Sequence, residues 1–285
     1  MIPTAALPPS PELVLQRWLE ELQANDRVRG TIRRYKSAVE GFLVWYSREE
    51  HRPLTFAALT PIALVGYRNY VQRTQRRATS TVNGQMSALR AWCAWLTAER
   101  YVEVNPAKNI KLVGRPEASS REGLNDHQAN ALLRQAHMSR DPLRNGAIVQ
   151  MLFQTGLRLD ECSQLTLDDI EFSERSGRVT IRSGKGNKAR IVPLNASARQ
   201  ALAEYLAPRW NCDPTVKAVA RAWPRRSPGS LSIPLWQSQK KGRLTTSAMR
   251  QMIDVLVRDA AGRGLVPASA SAHTLRHTFA RNYLA

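Results

Sequence analysis

The sequence has little cysteine, and its cysteines are scattered. Cys93, Cys162 and Cys212 are the three cysteines among 285 residues. Their separation excludes a CxxC metal-binding pair and a disulfide framework. We therefore expect reduced, partly buried thiols in a cytoplasmic protein. No metal or other cofactor is expected, because no cluster of ligating residues stands at metal-binding spacing.

The sequence also lacks targeting and membrane signals. Its first residues, MIPTAALPPSPELVLQRW, contain no positively charged region followed by an apolar run, so they do not form a signal peptide. No apolar run approaches the ~20 residues that a membrane-spanning helix needs. We expect a soluble, intracellular protein with no membrane partner.

Acidic residues are scarce relative to basic ones. The chain has 42 lysines and arginines against 23 aspartates and glutamates, a formal net charge of +19. Residues 1–113 carry 16 basic and 9 acidic residues and the remainder carries 26 and 14, so the excess is not a tail. This balance favours a polyanionic partner and suits a protein that holds a duplex from two sides. On charge alone, a ribosomal or general nucleic-acid binder remains an alternative.

The first hundred residues have helical periodicity throughout. Leu15, Trp18, Leu19 and Leu22 form one apolar stripe at i, i+3, i+4 and i+7. Further helices are predicted from Thr31 as N-cap, from Thr60 followed by proline, and from about Ser80. Their expected apolar faces carry Ile32, Tyr35, Val39, Phe42 and Tyr46; Ile62, Val65 and Tyr70; and Val82, Met86, Leu89, Trp92, Cys93 and Leu96. Four such helices make a small helical bundle.

A change of composition separates this bundle from the rest of the chain. Residues 105–123, NPAKNIKLVGRPEASSREG, lack periodicity and contain Pro, Gly and Ser, which is typical of a linker. We place a first domain at 1–110, a linker at 111–123 and a second domain at 124–285.

The second half begins with two helices that carry clear end signals. Asn125 and Gln128 have the spacing of a capping box. The next helix is predicted to begin at Asp141-Pro142 and to end before Gly156.

A change to period 2 then predicts a small sheet. Residues 178–182 and 189–194 alternate and are β-branched, and SGKGNK between them is turn chemistry, so they predict a β-hairpin. Helices are expected at about 195–205 and 245–259 and from His273 onward, whereas 208–234 has no clear pattern. The predicted fold class is mainly α with a small antiparallel β-sheet: a helical bundle followed by a mixed α/β domain.

Three short segments carry residues suited to phosphate chemistry. Arg158 follows TGL at the start of a predicted short helix. Its planar guanidinium could hold two phosphate oxygens, and Glu161 is near enough to orient it. Lys185 lies in the GKGNK tip of the hairpin, from which it could enter a groove. His273 and Arg276 share one helical face and could address one phosphate. Taken singly, each segment has an ordinary alternative: a helix-end arginine, a soluble turn, or a chance H-x-x-R pair.

The three segments together resemble the tyrosine recombinase (phage integrase) family. They comprise an arginine after TGL, a lysine in a GKGNK hairpin followed by a V-P-L strand end, and then H-x-L-R-H, in that order. The resemblance is closest to Xer-type and to transposon or integron enzymes. It covers nearly the whole chain: the helical first half resembles the core-binding domain of the family, and the second half resembles its catalytic domain.

The resemblance implies roles for individual residues. The implied catalytic residues are Arg158, Lys185, His273 and Arg276, with Glu161 and His277 as supporting residues; Asp160 stands where a serine is more usual. A tyrosine would attack a DNA phosphodiester and leave a 3′-phosphotyrosine and a free 5′-hydroxyl. Arginines would stabilise the charge of the transition state, and the lysine would protonate the leaving oxygen.

The nucleophile is not evident in this sequence. In the family a second histidine or tryptophan and then the attacking tyrosine follow H-x-x-R, and the sequence given ends at Ala285 before either. Tyr283 is the only tyrosine after the motif, and we expect it to be a packing residue whose helix points it away from the phosphate. The expectation is a truncated chain that binds DNA without cleaving it.

The implied partners are double-stranded DNA with a specific site, other copies of the parent protein in a tetramer on that DNA, and an accessory protein. Candidate DNA-contacting residues lie off the apolar helix faces and at the hairpin. They are Arg33, Arg34, Arg73, Arg76, Arg77, Arg90 and Lys188. Two alternatives stay open: a non-catalytic DNA-binding accessory protein, and an enzyme like type IB topoisomerases, which resemble this active-site chemistry.

Overall fold

The chain divides into two compact units, each with its own hydrophobic core. The computed structural model describes residues 9–114, 123–182, 189–223 and 233–284. The two units are Met1–Ala118 and Ser119–Ala285. Ala107 and Ile110 pack into the first core. The domain limits 1–110, 111–123 and 124–285 remain a prediction.

The described part of the first unit is helical. Its helices are α1 (Pro11–Ala24), α2 (Arg29–Glu49), α3 (Pro61–Asn69) and α4 (Thr79–Ala98), with a 3₁₀ turn at Phe56–Ala58 and a π-helical turn at Tyr70–Thr74. In α1, the Ser10 side chain accepts a hydrogen bond from the Leu13 amide, and proline follows in the first turn. Leu15, Trp18 and Leu19 are buried, which confirms most of the predicted stripe.

Two local predictions in this unit are wrong. Thr31 does not cap α2, because the helix begins at Arg29 with Val28 in the cap position and no side-chain cap bond. Ile62 is not in the core but 84% exposed. The buried face of α3 and the turn after it carries Leu64, Tyr67 and Val71 instead. This stripe is displaced from the predicted one because Tyr67 packs edge-on against Phe42, with ring centroids 5.4 Å apart.

The second unit is mostly helical around one small sheet, which confirms the predicted fold class. Its helices are α5 (Asp126–His137), α6 (Pro142–Thr155), α7 (Leu159–Gln164), α8 (Ala196–Trp210), α9 (Val216–Ala222), α10 (Thr246–Ala261) and α11 (Ala272–Leu284). Its strands are β1 (Ile170–Phe172), β2 (Gly177–Ile181) and β3 (Arg190–Pro193), antiparallel in the order β1-β2-β3. In this register Val179 of β2 faces Ile170 and Val192.

The end signals of α5 and α6 are confirmed. Asn125 and Gln128 exchange both hydrogen bonds of a capping box. Gly156 ends α6 in the left-handed conformation with φ of 58°. Two other predictions need correction. Helix α8 continues to Trp210 rather than about Tyr205, and α9 lies within the stretch 208–234 that has no clear pattern in sequence.

Helix α11 is held against the start of the unit and the end of α6. The Thr278 hydroxyl, 1% exposed, accepts a hydrogen bond of 2.8 Å from the Leu124 amide. A Cβ on Gly123 would lie 2.6 Å from the Thr278 Cα, and a Cβ on Gly156 would overlap the Phe279 ring. Both glycines therefore allow the close approach of α11. Among the described residues, no helix is long and apolar enough to cross a membrane.

Candidate functional site

Arg158 lies at the start of α7, directly after the turn that ends α6. Its backbone N–H donates to Glu161 Oε2 at 2.8 Å, and its Nη1 donates to Glu161 Oε1 at 2.7 Å. The Arg158 side chain is 42% exposed while that of Glu161 is 6% exposed. The carboxylate therefore holds the arginine from the protein side and leaves part of the guanidinium open to solvent.

Glu161 is shared with a second arginine. Arg190, the first residue of β3, donates from Nη1 to Glu161 Oε1 at 3.0 Å and from Nη2 to Oε2 at 2.6 Å. Burial alone would raise the pKa of Glu161. The hydrogen bonds from Arg190 and from Arg158 outweigh burial and lower the pKa from 4.5 to about 2. Glu161 is therefore a carboxylate at neutral pH, fixed between two cations.

Sequence reasoning did not identify Arg190. It lies 29 residues from Glu161, so no local spacing links the two. Its only signal in the sequence is its place just after the GKGNK turn, where a strand leaves the hairpin.

Arg276 approaches the same turn from α11. Its Nη1 donates to the carbonyl oxygen of Gly156 at 2.5 Å. Burial lowers the pKa of Arg276, and the positive charge of Arg158 lowers it further. Arginine nevertheless stays cationic in proteins, so two guanidinium charges converge on one turn. This juxtaposition favours an anion in the space that they face.

His273 and His277 lie on the same face of α11 as Arg276. Their rings are perpendicular, with centroids 4.4 Å apart. His273 is exposed and His277 is half-buried. The helix thus presents two imidazoles and a guanidinium at i, i+3 and i+4, the arrangement expected from the H-x-x-R-H segment.

The hairpin lysines Lys185 and Lys188 lie outside the described residues. The strands next to them are described: β2 ends at Ile181, and β3 begins at Arg190. Because Arg190 binds Glu161, the start of β3 lies beside α7.

The tyrosines of the second unit have other partners. The Tyr283 hydroxyl donates to Gln154 Oε1 at 3.3 Å and accepts from Asn195 Nδ2 at 3.4 Å. The Tyr205 hydroxyl accepts from the Gln237 amide at 3.0 Å, and burial raises its pKa. Tyr283 follows Arg276 by seven residues, so the two lie on nearly the same face of α11, about 10 Å apart along its axis. That the helix points Tyr283 away from the phosphate stays a prediction.

The candidate DNA-contacting arginines of the first unit all have exposed side chains. Two lie on α2, three lie between α3 and α4, and one lies on α4: Arg33, Arg34, Arg73, Arg76, Arg77 and Arg90. Among the residues that the structure describes, no group of three His, Cys, Asp or Glu side chains could hold a metal ion.

Comparison with known families identifies this arrangement. Residues 122–285 match the family described as the phage integrase family, and residues 15–100 match the phage integrase N-terminal SAM-like domain. The chain belongs to the phage integrase family. Its relatives include Xer-type tyrosine recombinases.

Similar proteins in the family carry one recurring name. The tyrosine recombinase XerC of Thermodesulfovibrio yellowstonii is 26% identical over 264 residues, which cover 93% of this chain and 79% of that protein. Tyrosine recombinase XerC 2 of Ralstonia nicotianae is 30% identical over 215 residues, covering 70% of this chain and 60% of that protein. The XerC of Bacillus subtilis is 29% identical, covering 72% of this chain and 61% of that protein.

Solved structures share the fold at low identity. The Tn1549 transposon integrase in complex with circular intermediate DNA has a TM-score of 0.69 at 17% identity, covering 95% of this chain and 86% of that one. A lambda integrase dimer bound to a core site has a TM-score of 0.68 at 14% identity, with the same coverage of 95% and 86%. XerH bound to its difH substrate has a TM-score of 0.64 at 21% identity, covering 93% and 71%.

Proposed function

We propose that this protein is a site-specific DNA recombinase that cleaves and rejoins DNA through a 3′-phosphotyrosine intermediate, in the integration, excision or resolution of a mobile element. One observation carries the proposal. Arg158 and Arg276 come from different helices to one turn at Gly156, with Glu161 as the carboxylate that holds Arg158. Two partly exposed guanidiniums held at one turn are suited to binding a phosphodiester, whose negative charge would offset their positive charges.

The residues have distinct chemical tasks in this proposal. Negative charge builds on the non-bridging oxygens as a nucleophile attacks the phosphorus, and Arg158 and Arg276 stabilise it because both are already held in place. His273, on the same helical face, hydrogen-bonds the phosphate or assists proton movement. Lys185 gives a proton to the leaving 5′-oxygen. The phosphotyrosine conserves the energy of the broken bond, so strand rejoining needs no added energy source.

In this proposal neither tyrosine of the second unit is the nucleophile. The hydroxyls of Tyr205 and Tyr283 are hydrogen-bonded to groups other than Arg158 and Arg276. We therefore propose that the 285-residue chain binds DNA and activates the phosphate without forming the covalent bond itself. The type of strand exchange and a tetramer on DNA belong to the same proposal. Relatives of this fold bound to DNA support the choice of duplex DNA as partner.

An added nucleophile tests the phosphate-activating role directly. A duplex would first be selected from a random-sequence pool by the 285-residue chain and then incubated with the chain and a small phenol. We expect a nick at one phosphate, with the phenol oxygen joined to the 3′-phosphate and a 5′-hydroxyl on the other end. Arg158→Ala and Arg276→Ala should each lower the rate of nicking by roughly 10²–10³-fold, the effect of removing one preorganised donor. Selection of the duplex should persist in both variants.

Arg178→Gln is the matched control. Arg178 pairs with Glu171 on the same sheet, but both side chains are more than half exposed, so its loss should not change nicking. Selective binding with no nick would contradict the proposal and favour a binding-only accessory protein. Relaxation of supercoiled plasmid without the selected site would contradict it in favour of a topoisomerase. A covalent adduct between DNA and the 285-residue chain would contradict the proposal that neither Tyr205 nor Tyr283 attacks the phosphate.

A further inference from the structure

We infer that Arg190 is a positioning residue that keeps Arg158 available to the DNA phosphate by occupying half of the acceptor capacity of Glu161. The inference rests on the proposed function and goes beyond it, because it assigns a role to a side chain that need not touch the DNA. It makes Arg190 the partner through which the hairpin strand β3 acts on the catalytic arginine.

The hydrogen bonds around Glu161 carry the argument. Oε1 accepts from Arg158 Nη1 at 2.7 Å and from Arg190 Nη1 at 3.0 Å. Oε2 accepts from the Arg158 backbone N–H at 2.8 Å and from Arg190 Nη2 at 2.6 Å. A carboxylate has about four lone-pair sites, so these four bonds fill it. Arg158 therefore commits one side-chain N–H group to Glu161, and Arg190 supplies the bidentate pairing.

Without Arg190, the Glu161 carboxylate and the DNA phosphate would compete for the guanidinium of Arg158. Glu161 is 6% exposed, so water cannot readily replace the two lost bonds. The carboxylate would satisfy itself by binding the fork of Arg158 bidentately, since this geometry is the preferred one for arginine and carboxylate. The same fork is needed for two phosphate oxygens. A bound phosphate would then have to displace Glu161 from Arg158.

The contact also links two separate elements of the unit. Arg190 is the first residue of β3, and Glu161 lies on α7, 29 residues away. A second hairpin arginine, Arg178, forms an ion pair with Glu171 in which both side chains are more than half exposed. Arg178 has the same charge and lies on the neighbouring strand, but it does not contact Glu161, so it provides a matched control.

The test is a scan of neutral phosphates on a duplex selected by the 285-residue chain. Each backbone phosphate is replaced in turn by a methylphosphonate, and the loss of affinity at that position is measured. If neutralising a phosphate weakens binding by the unchanged protein but not by Arg158→Ala, that phosphate is the one that Arg158 binds. In Arg190→Gln we expect the methylphosphonate at this phosphate to cost about 10-fold less affinity than in the unchanged protein, because about one charge-assisted contact is already lost. The losses at the other positions should be unchanged. Arg190→Lys should lie between the two, because lysine keeps the charge but not the fork. Arg178→Gln should match the unchanged protein.

The outcomes separate this inference from the proposed function. If no phosphate depends on Arg158, the proposed function fails. If such a phosphate exists and Arg190→Gln leaves its dependence unchanged, the inference alone fails. A uniform loss at all phosphates together with a lower urea midpoint would indicate a structural role only and would also overturn the inference. Should Arg190→Gln not fold, the comparison of Arg190→Lys with Arg178→Lys decides the matter in the same way.

Discussion

Arg276 hydrogen-bonds the carbonyl oxygen of Gly156, which lies two residues before Arg158. The two arginines that converge on the site are therefore coupled through one turn of backbone. A change in the conformation of that turn would therefore move Arg158 and would also displace the carbonyl oxygen that fixes Arg276.

We expect Gly156→Ala to be severely destabilising. Gly156 has a φ of 58°, and an added Cβ would overlap the ring of Phe279. Left-handed backbone costs a non-glycine residue about 1–2 kcal/mol, and the overlap adds roughly 1–3 kcal/mol. Urea unfolding should show a total loss of about 2–5 kcal/mol.

Gly264→Ala is the control for this effect. Gly264 has a φ of 69°, and nothing lies within 4 Å of its added Cβ, so only the backbone cost of about 1–2 kcal/mol should remain. Equal losses in the two variants would show that the contact between Phe279 and Gly156 does not contribute.

Glu161 should add a distinct acid dependence to stability. Its pKa is about 2 in the folded protein against a usual 4.5. Because the folded value is the lower one, the contribution is complete above about pH 4.5 and is lost as the pH falls towards 2. Its size is about 3 kcal/mol for a shift of this order.

A comparison with Glu161→Gln isolates that contribution. At pH 7 the variant should be less stable, because two arginines lose their carboxylate. Between about pH 4.5 and 2 the difference in free energy of unfolding should shrink towards zero. A difference that stays constant down to pH 2 would show that Glu161 does not titrate in this window.

The exposed arginines of the first unit should control the salt dependence of DNA binding. Each phosphate contact contributes about 0.9 to the slope of log affinity against log salt concentration. Replacing both Arg33 and Arg34 with glutamine should lower the slope by about 2, as measured by anisotropy at several NaCl concentrations. Arg52→Gln is the control, since Arg52 lies near Glu50 at 3.9 Å. Identical slopes in the double variant and the control would remove these arginines from the DNA-contacting surface.

Lys185 should be needed only when the leaving group needs a proton. In the assay with added phenol, Lys185→Ala should slow nicking by roughly 10²–10⁴-fold, the usual contribution of a general acid. A sulfur in place of the 5′-bridging oxygen leaves as a thiolate without protonation. The variant should therefore recover most of its rate on that duplex. Arg158→Ala should not recover, because its task is stabilising charge; equal recovery in both variants would contradict the assignment to Lys185.

Features with a local cause could be predicted from sequence. The capping box of Asn125 and the left-handed end at Gly156 depend on residues within one turn, and both are confirmed. Ile62 shows the limit of periodicity. A short helix offers two apolar faces, and packing of Tyr67 on Phe42 selects the other one. Helix α9 was missed because prolines and tryptophans surround its seven residues and obscure the pattern.

The residues of the candidate site also divide into those that the sequence predicts and one that it does not. Arg158, Glu161 and Arg276 could be found because they stand in recognisable short segments, and the structure brings them to one turn. Arg190 could not be found, since its importance arises from a strand and a helix meeting across 29 residues. Arg190 can bind Glu161 bidentately only after β3 has paired with β2 in the correct register.

The hydrogen bond from Arg276 to Gly156 also sets an order of events during translation. Its two residues are 120 positions apart in the chain. At ~5–20 residues per second, a ribosome adds Arg276 roughly 6–24 s after Gly156. Until then the nascent chain holds Arg158 without the second arginine and leaves the amide of Leu124 without the Thr278 hydroxyl. A chain still being synthesised therefore carries only one of the two guanidiniums that meet at Gly156 until Arg276 has been added.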